Sequence, residues 1–446
     1  SESLAMRSPE TFVPTKSPVG AAPPATCDRR RWLSLAASSL PGAAAIGLLG
    51  QSRDASAWDW TQWRGPTRDG QFSGADWPKT LQGDRLKQVW RVELGPSYSG
   101  PIVAGDRVYV TETRGKENEF VSALDRKTGA TIWSVNWPGS ISVPFFAKSN
   151  GDWIRSTPAF DGETLYVAGI RDVLVALNAA DGSVKWKVDF VEQLKTPAPT
   201  FGFVCSPLVL QGAVYVQAGA GIVKLDAKTG KILWRSLNDG GGMDGSAFSS
   251  PAMYKVGGRD QLVVQTRQKL AGVDPNDGKV LWSEEVPAFR GMNILTPVLH
   301  DGRFFTSAYG GKSLAYSVGE KDGQFTVSTA WENKTQGYMS TPVVIDGHAY
   351  LHLRNQRFTC INLANGETTW TTPKTFGKYW SLVANKNMIL ALDERGELLL
   401  IEANPAEFKL IDTRKIADQE TWAHLAVSEN QLFVRELKAM AVYDWR

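Results

Sequence analysis

The sequence predicts an all-β ring, an eight-bladed β-propeller of four-stranded antiparallel blades, and three observations predict it. Trp133, Trp186, Trp234, Trp282, Trp331 and Trp370 recur at intervals of 39 to 53 residues. All but Trp331 close one recurring 11-residue phrase: ALDRKTGATIW at 123–133, ALNAADGSVKW at 176–186, KLDAKTGKILW at 224–234, GVDPNDGKVLW at 272–282 and CINLANGETTW at 360–370. A second phrase precedes these: Ser or Thr before Pro, a few apolar residues, Asp-Gly, then alternating apolar residues, as at Pro158–Val167 and Pro342–Leu351. A fixed period of this length is the mark of a repeat architecture.

Each repeat reads as four short strands, A to D. Short apolar runs that end at Asp-Gly or Asn-Gly are antiparallel strands joined by tight turns. Gly supplies the positive φ of the turn, and the Asp or Asn accepts hydrogen bonds from the turn's own N–H groups. A single sheet of this kind cannot bury both apolar faces, and stacking copies around an axis buries both. The framework residues are Trp90, Asp125, Gly129, Trp133, Gly182, Trp186, Asp226, Gly230, Trp234, Asp274, Gly278, Trp282, Trp331, Gly366 and Trp370. The tryptophans read as wedges between blades, not as a cofactor site. Residues 315–331 are a stretched copy with an insertion around Gly319 to Gly323. Two further copies are degenerate. In one, Leu410 falls at the Trp place; in the other, Val442-Tyr443-Asp444 lacks a following outer strand. Residues 86–94, which carry Trp90, supply that strand. Their pairing with 437–445 is expected to close the ring and remove an exposed edge.

The domain reading is therefore 1–57, a leader with an export signal; 58–85, an N-terminal leader segment; and 86–446, the propeller. Arg29, Arg30 and Arg31 precede Trp32, Leu33 and a weakly apolar run that ends at Ala55-Ser56-Ala57. This resembles a twin-arginine export signal with a cleavage site. The run is broken by Pro41 and is short for a membrane span. After signal cleavage no stable membrane span is expected. No Cys follows the run, so a lipid anchor is not expected either.

Composition excludes other classes. Of 49 basic and 46 acidic residues, six and four lie in 1–57, leaving 43 against 42. That balance gives no pull toward nucleic acid. Cys27, Cys205 and Cys360 stand apart and make no disulfide scaffold or metal cluster. The four histidines, His300, His348, His352 and His424, read as solvated residues at turns and strand ends, without metal-ligand spacing. Glu284 and Glu285 alternate faces on a strand, so they do not pair for acid–base work.

The phrase at 123–133 matches the A-x-D-x-x-T-G-x-x-x-W pattern and resembles the Trp-docking motif of the pyrroloquinoline quinone (PQQ)-like propeller family. The resemblance covers about residues 86–446. Residues 60–70, WTQWRGPTRDG, are similar to the leader of an exported bacterial group in that superfamily. The resemblance implies one of two functions. One is a non-catalytic scaffold of the BamB type, which works in outer-membrane protein assembly. The other is a PQQ- and calcium-dependent alcohol or sugar dehydrogenase. The adjacent cysteines of the alcohol-oxidising enzymes are absent here, and so are their large insertions. No catalytic residue, metal or cofactor is expected. The expected role is an exported, periplasmic or envelope-associated monomer that binds a protein or a polysaccharide.

Strand direction puts the D–A and B–C loops on one face and the tight turns on the other. The loop face is longer and more varied, and loops on a rigid scaffold carry function. Its candidate contact residues are Tyr98, Trp153, Arg155, Phe203, Phe248, Arg290, Tyr338, Arg354, Lys378, Tyr379, Trp380 and Trp422, with Phe201, Arg267 and Arg435 nearby. Aromatic rings with arginine suit peptide or carbohydrate. Charges summed over the loops are too evenly balanced to point to an anionic ligand.

Overall fold

The computed structural model describes residues 59–446 except 244, 246 and 247. The expected export signal and Trp58 lie outside the described residues. Eight four-stranded antiparallel sheets are present. Blade 1 is built from Ile102–Ala104, Arg107–Arg114, Asn118–Asp125 and Thr131–Pro138, its strands A to D. Blades 2 to 7 span 159–189, 208–236, 252–285, 298–333, 343–371 and 380–415. Blade 8 takes Ala426–Ser428, Gln431–Glu436 and Ala439–Trp445 from one end of the chain and its outer strand, Leu86–Glu93, from the other. Those two ends pair antiparallel from Leu86 opposite Trp445 to Glu93 opposite Ala439. The ring closes where the sequence placed the closure. One short helix, Phe190–Leu194, is capped by Asp189. Among the described residues, no helix is long and apolar enough to cross a membrane.

The repeat phrase explains how blades join. At the Asp-x-x-Thr-Gly turn, Asp125 accepts from the Thr128 N–H at 2.8 Å and from its hydroxyl at 2.9 Å. Asp226 holds Thr229 the same way. The glycine of that turn lies flat against the tryptophan of the preceding blade. A Cβ on Gly129, Gly182, Gly230, Gly278 or Gly366 would come within 2.4 to 2.8 Å of the ring of Trp90, Trp133, Trp186, Trp234 or Trp331, respectively. Each of these indole N–H groups also donates to a carbonyl of the same turn: Arg126, Ala179, Ala227, Pro275 and Leu363, at 2.8 to 3.2 Å. Trp370 keeps only the hydrogen bond, donating to Asn404 O at 2.8 Å without a glycine against its ring among the described residues. Glycine is required for two reasons, the φ near +75° and the absence of space for a side chain.

Two junctions depart from the rule. Blade 5 has a long C–D hairpin, Ser313–Lys321 with Gln324–Asn333, in place of the tight turn. Trp282 of blade 4 therefore turns inward. It is buried, donates to Gln261 at 2.7 Å and packs on Phe304. At blade 7, Leu410 does not take the Trp place. In the regular blades each Trp sits opposite the residue before a one-residue shift in pairing, as Trp133 opposite Ala123. In blade 7 that position belongs to Asp412, opposite Leu400, and Leu410 pairs with Ile401 beyond the shift. Asp412 binds the leader instead, accepting from the Leu81 N–H, the Thr80 hydroxyl and the Gln82 amide. Trp77 of the leader packs at a tilt against Trp445, whose indole donates to Thr80 O. The leader so fills the wedge that a seventh repeat tryptophan would have filled.

Gly366→Ala should therefore lower stability by about 1–3 kcal/mol beyond Gly323→Ala. Both positions have φ of +76° to +79°, but Gly323 faces open space while Gly366 faces Trp331. Urea denaturation of the two variants reads the difference, and equal losses would mean that the ring contact contributes nothing.

Candidate functional site

The Ser/Thr-Pro phrase builds the central channel. Proline cannot donate and forces the residue before it into extended geometry. That geometry lets each preceding hydroxyl accept the main-chain N–H of the blade before it. Gly100 donates to Thr157, Thr157 to Ser206, Ser206 to Ser250, Ser250 to Thr296 and Thr296 to Thr341, at 2.9 to 3.2 Å. The remaining blades reverse the relation, with Trp380 donating to Ser340 and Leu425 to Ser381. The result is a belt of hydroxyls around the channel, hidden in a phrase whose sequence reading stopped at marking strand starts.

The leader stoppers this channel from the turn side. Trp60 exchanges main-chain hydrogen bonds with Val103 of blade 1, and the Phe160 N–H of blade 2 donates to Thr61. Arg64 donates to Pro342 O of blade 6 at 2.6 Å. Arg68 donates to Pro207 O and Ser206 O of blade 3 at 2.8 and 3.1 Å. Phe72 and Gly70 bond Ala384 of blade 7. The segment thus crosses the axis and ties distant blades together. Both guanidinium groups are buried, and burial lowers each to about 10, where both remain charged at neutral pH.

Above this stopper, on the loop face, lies a cavity of about 230 Å³. Trp63 is in its lining, and Arg64 and Arg68 lie 5.6 and 5.7 Å from the Trp63 ring. The belt hydroxyls ring the cavity. Tyr98, Arg155, Phe201, Phe248, Tyr338, Tyr379, Trp422 and His424 complete the wall. Tyr379 and Trp422 stack in parallel at 5.5 Å, and Tyr98 joins Trp422 to Trp153. Arg155 donates to the carbonyls of Gly151 and Trp153, and burial lowers it to about 10.

The aromatic surface continues outward from the cavity. Phe145 is 84% exposed and meets Phe146, which contacts Phe201 and through it Phe248. On the neighbouring sector Phe289 meets Tyr309, which in turn meets Tyr338, and Arg354 lies 4.0 Å from the Tyr309 ring. Met243 and Arg290 are exposed on this rim, with Arg290 beside Phe289, and Lys378 is exposed in the loop before Tyr379. Arg267 packs near Phe248 at 5.0 Å.

Several expected positions differ. Trp380 is fully buried, packed on Phe376 and Phe358, with its indole donating to Asp393. Phe203 is buried in the core between blades 2 and 3. Arg435 is buried and donates to carbonyls of Gly95 and Thr111, joining blade 8 to blade 1. Trp380 begins its strand and Arg435 lies near the end of its own, where alternation sends one neighbour inward and the next outward, and spacing does not say which. His352 and His424 are buried, not solvated. His352 donates from Nε2 to Gly377 O, and His424 donates from Nδ1 to Leu425 O. Burial lowers His352 to about 4, and burial with the nearby Arg64 charge lowers His424 to about 3. Trp63, Arg64, Arg68, His424, Phe145, Phe146 and Phe289 escaped the sequence reading, because the leader is not periodic and these loops carry no repeat.

Both histidines are neutral in the fold and titrate near 6.5 when unfolded. Below that pH the unfolded chain takes up protons that the folded chain refuses. Each histidine then removes about 1.4 kcal/mol per pH unit until its folded value is reached. Urea midpoints near pH 7 and pH 4.5 should show a smaller acid loss in the His352→Asn/His424→Asn double variant than in the natural chain. An identical loss would contradict the assignment.

A quinone with a calcium ion does not suit this lining. Calcium takes six to eight oxygens, carboxylates among them. Among the described residues no Asp or Glu lines the cavity, and Arg155 brings a like charge. Among the described residues no cluster of His, Cys, Asp or Glu could hold a metal. Residues 117–372 match the family model described as outer membrane protein assembly factor BamB. BamB of Moranella endobia (strain PCIT) is 24% identical over 364 residues, which is 76% of this chain and 85% of that protein. The solved structure of BamB from Moraxella catarrhalis is 16% identical and superposes with a TM-score of 0.58 over 81% of this chain and 98% of that one. A europium-containing methanol dehydrogenase is 11% identical, with a TM-score of 0.51 over 87% and 98%. These structural likenesses show the propeller fold alone. With its family match spanning more than half of its length, the chain belongs to the PQQ-like propeller family described as outer membrane protein assembly factor BamB.

Proposed function

We propose that the chain is a non-catalytic docking ring, exported to the bacterial envelope, whose loop face holds a protein partner. The observation that carries this reading is the exposed aromatic rim of Phe145, Phe146 and Phe289, continuous with Phe201, Phe248 and Tyr338. Exposed large aromatics next to arginines are the usual anchors of a protein interface. Membership of the assembly-factor family supports the same reading. The turn face is short and tight except at the long hairpin of blade 5, and the leader closes the channel from that side. A rigid ring of this kind presents its rim with little ordering cost.

Affinity capture from the source bacterium's envelope tests the reading. A tagged natural chain and a turn-face variant, Lys127→Glu, should retain the same envelope protein. Phe146→Ser with Phe289→Ser should reduce it by about tenfold or more. Equal retention by all three, or dye reduction with alcohols on adding PQQ and calcium, would overturn the docking reading.

A further inference from the structure

Among the described residues, Arg155 is the one charged side chain that lines the central cavity, and no carboxylate joins it there. Its Nε and Nη2 are held by main-chain carbonyls, and Nη1 has no protein acceptor. Asp152 and Glu420 act on Arg155 and Tyr98 from outside the lining, and neither forms an ion pair with Arg155. The hydroxyl belt adds donors. Thr157, Ser206, Ser250 and Thr341 accept main-chain N–H groups through oxygen, and among the described residues none of these hydroxyls has an acceptor for its own hydrogen. Beside Trp63, Arg64 and Arg68 make no ion pair among the described residues. Arg64 Nε and Nη1 and Arg68 Nε are buried without any partner. One guanidinium group and four free hydroxyl donors therefore face one small aromatic-walled space, and Arg64 and Arg68 lie behind its Trp63 wall. Asp69 acts on Arg64 as a partial counter-charge without forming an ion pair; buried cations short of counter-charge are costly, and an anion in the cavity would offset that cost. The even balance of charge over the loops does not bear on this, because most loop charges never face the cavity.

We propose that the cavity binds a small ring-shaped organic carboxylate. Arg155 and the belt hydroxyls receive the carboxylate, and the Tyr379–Trp422 stack with Phe248 flanks the ring. Guanidinium and hydroxyl donors converging on a carboxylate are the strong, charge-assisted kind, and the aromatic walls suit either a sugar acid or an aromatic acid. This site is independent of protein docking at the rim.

The full chain is titrated at low ionic strength with D-glucuronate and with 4-hydroxybenzoate, by calorimetry and tryptophan fluorescence. D-Glucose and 4-hydroxybenzyl alcohol are the neutral counterparts. At least one acid should bind saturably, about tenfold or more tighter than its neutral counterpart, and weaken with added salt. Arg155→Gln should weaken that acid by about tenfold or more, and Arg290→Gln should leave it unchanged. Glucuronate binding would assign a saccharide source, and hydroxybenzoate binding an aromatic one. Failure of both acids to bind, or equal binding of acid and neutral compound, overturns the proposal. These two outcomes are read on the natural chain, so they hold even if Arg155→Gln does not fold.

Discussion

Everything else in this molecule depends on how one blade's indole meets the next blade's glycine turn. The contact has two parts. The ring lies where a Cβ would stand, and the indole N–H donates to a turn carbonyl. Packing against a flat glycine turn sets the blade spacing, and the hydrogen bond sets the angle. Repeated at most junctions, this geometry closes eight blades and fixes the width of the channel. Where the indole is missing, at Asp412, the molecule supplies Trp77 and Trp445 from other parts of the chain. The wedge is a structural requirement, and the tryptophan is one way of meeting it.

The channel inherits its chemistry from the same repeat. Each Ser/Thr-Pro places a hydroxyl on the axis because the proline fixes the preceding residue, so a ring of blades becomes a ring of donors. The leader then crosses that axis, with Arg64 and Arg68 anchored to blades on different sides. The stopper confines access to the loop face. Its burial of two cations beside Trp63 also gives the space above a sign that no count of surface charges reveals.

The ring was legible because a period of roughly 45 residues is enforced at every turn, and even the shared eighth blade could be read from Trp90. What was not legible depends on contacts without a period. The place of Asp412 rests on a one-residue shift in pairing, which changes no local pattern. Trp380 and Trp422 both precede or begin an A strand, yet one is sealed against Phe376 and the other faces the cavity. His424 reads as a turn residue until the leader covers it. The path of residues 59–85 through the channel is set by long-range main-chain bonds, and nothing in WRGPTRDG alone announces them.

The central claim is that the leader stoppers the ring, leaving one open face. Hydrogen exchange of the full chain, followed by mass spectrometry, tests it most directly. The amides of Trp60, Phe72, Val103 and Ala384, which bond the leader to the blades, should exchange as slowly as core-strand amides such as those of Val175 and Leu400. Exchange at those four positions as fast as at the open turn around Gly323 would contradict a stoppered channel.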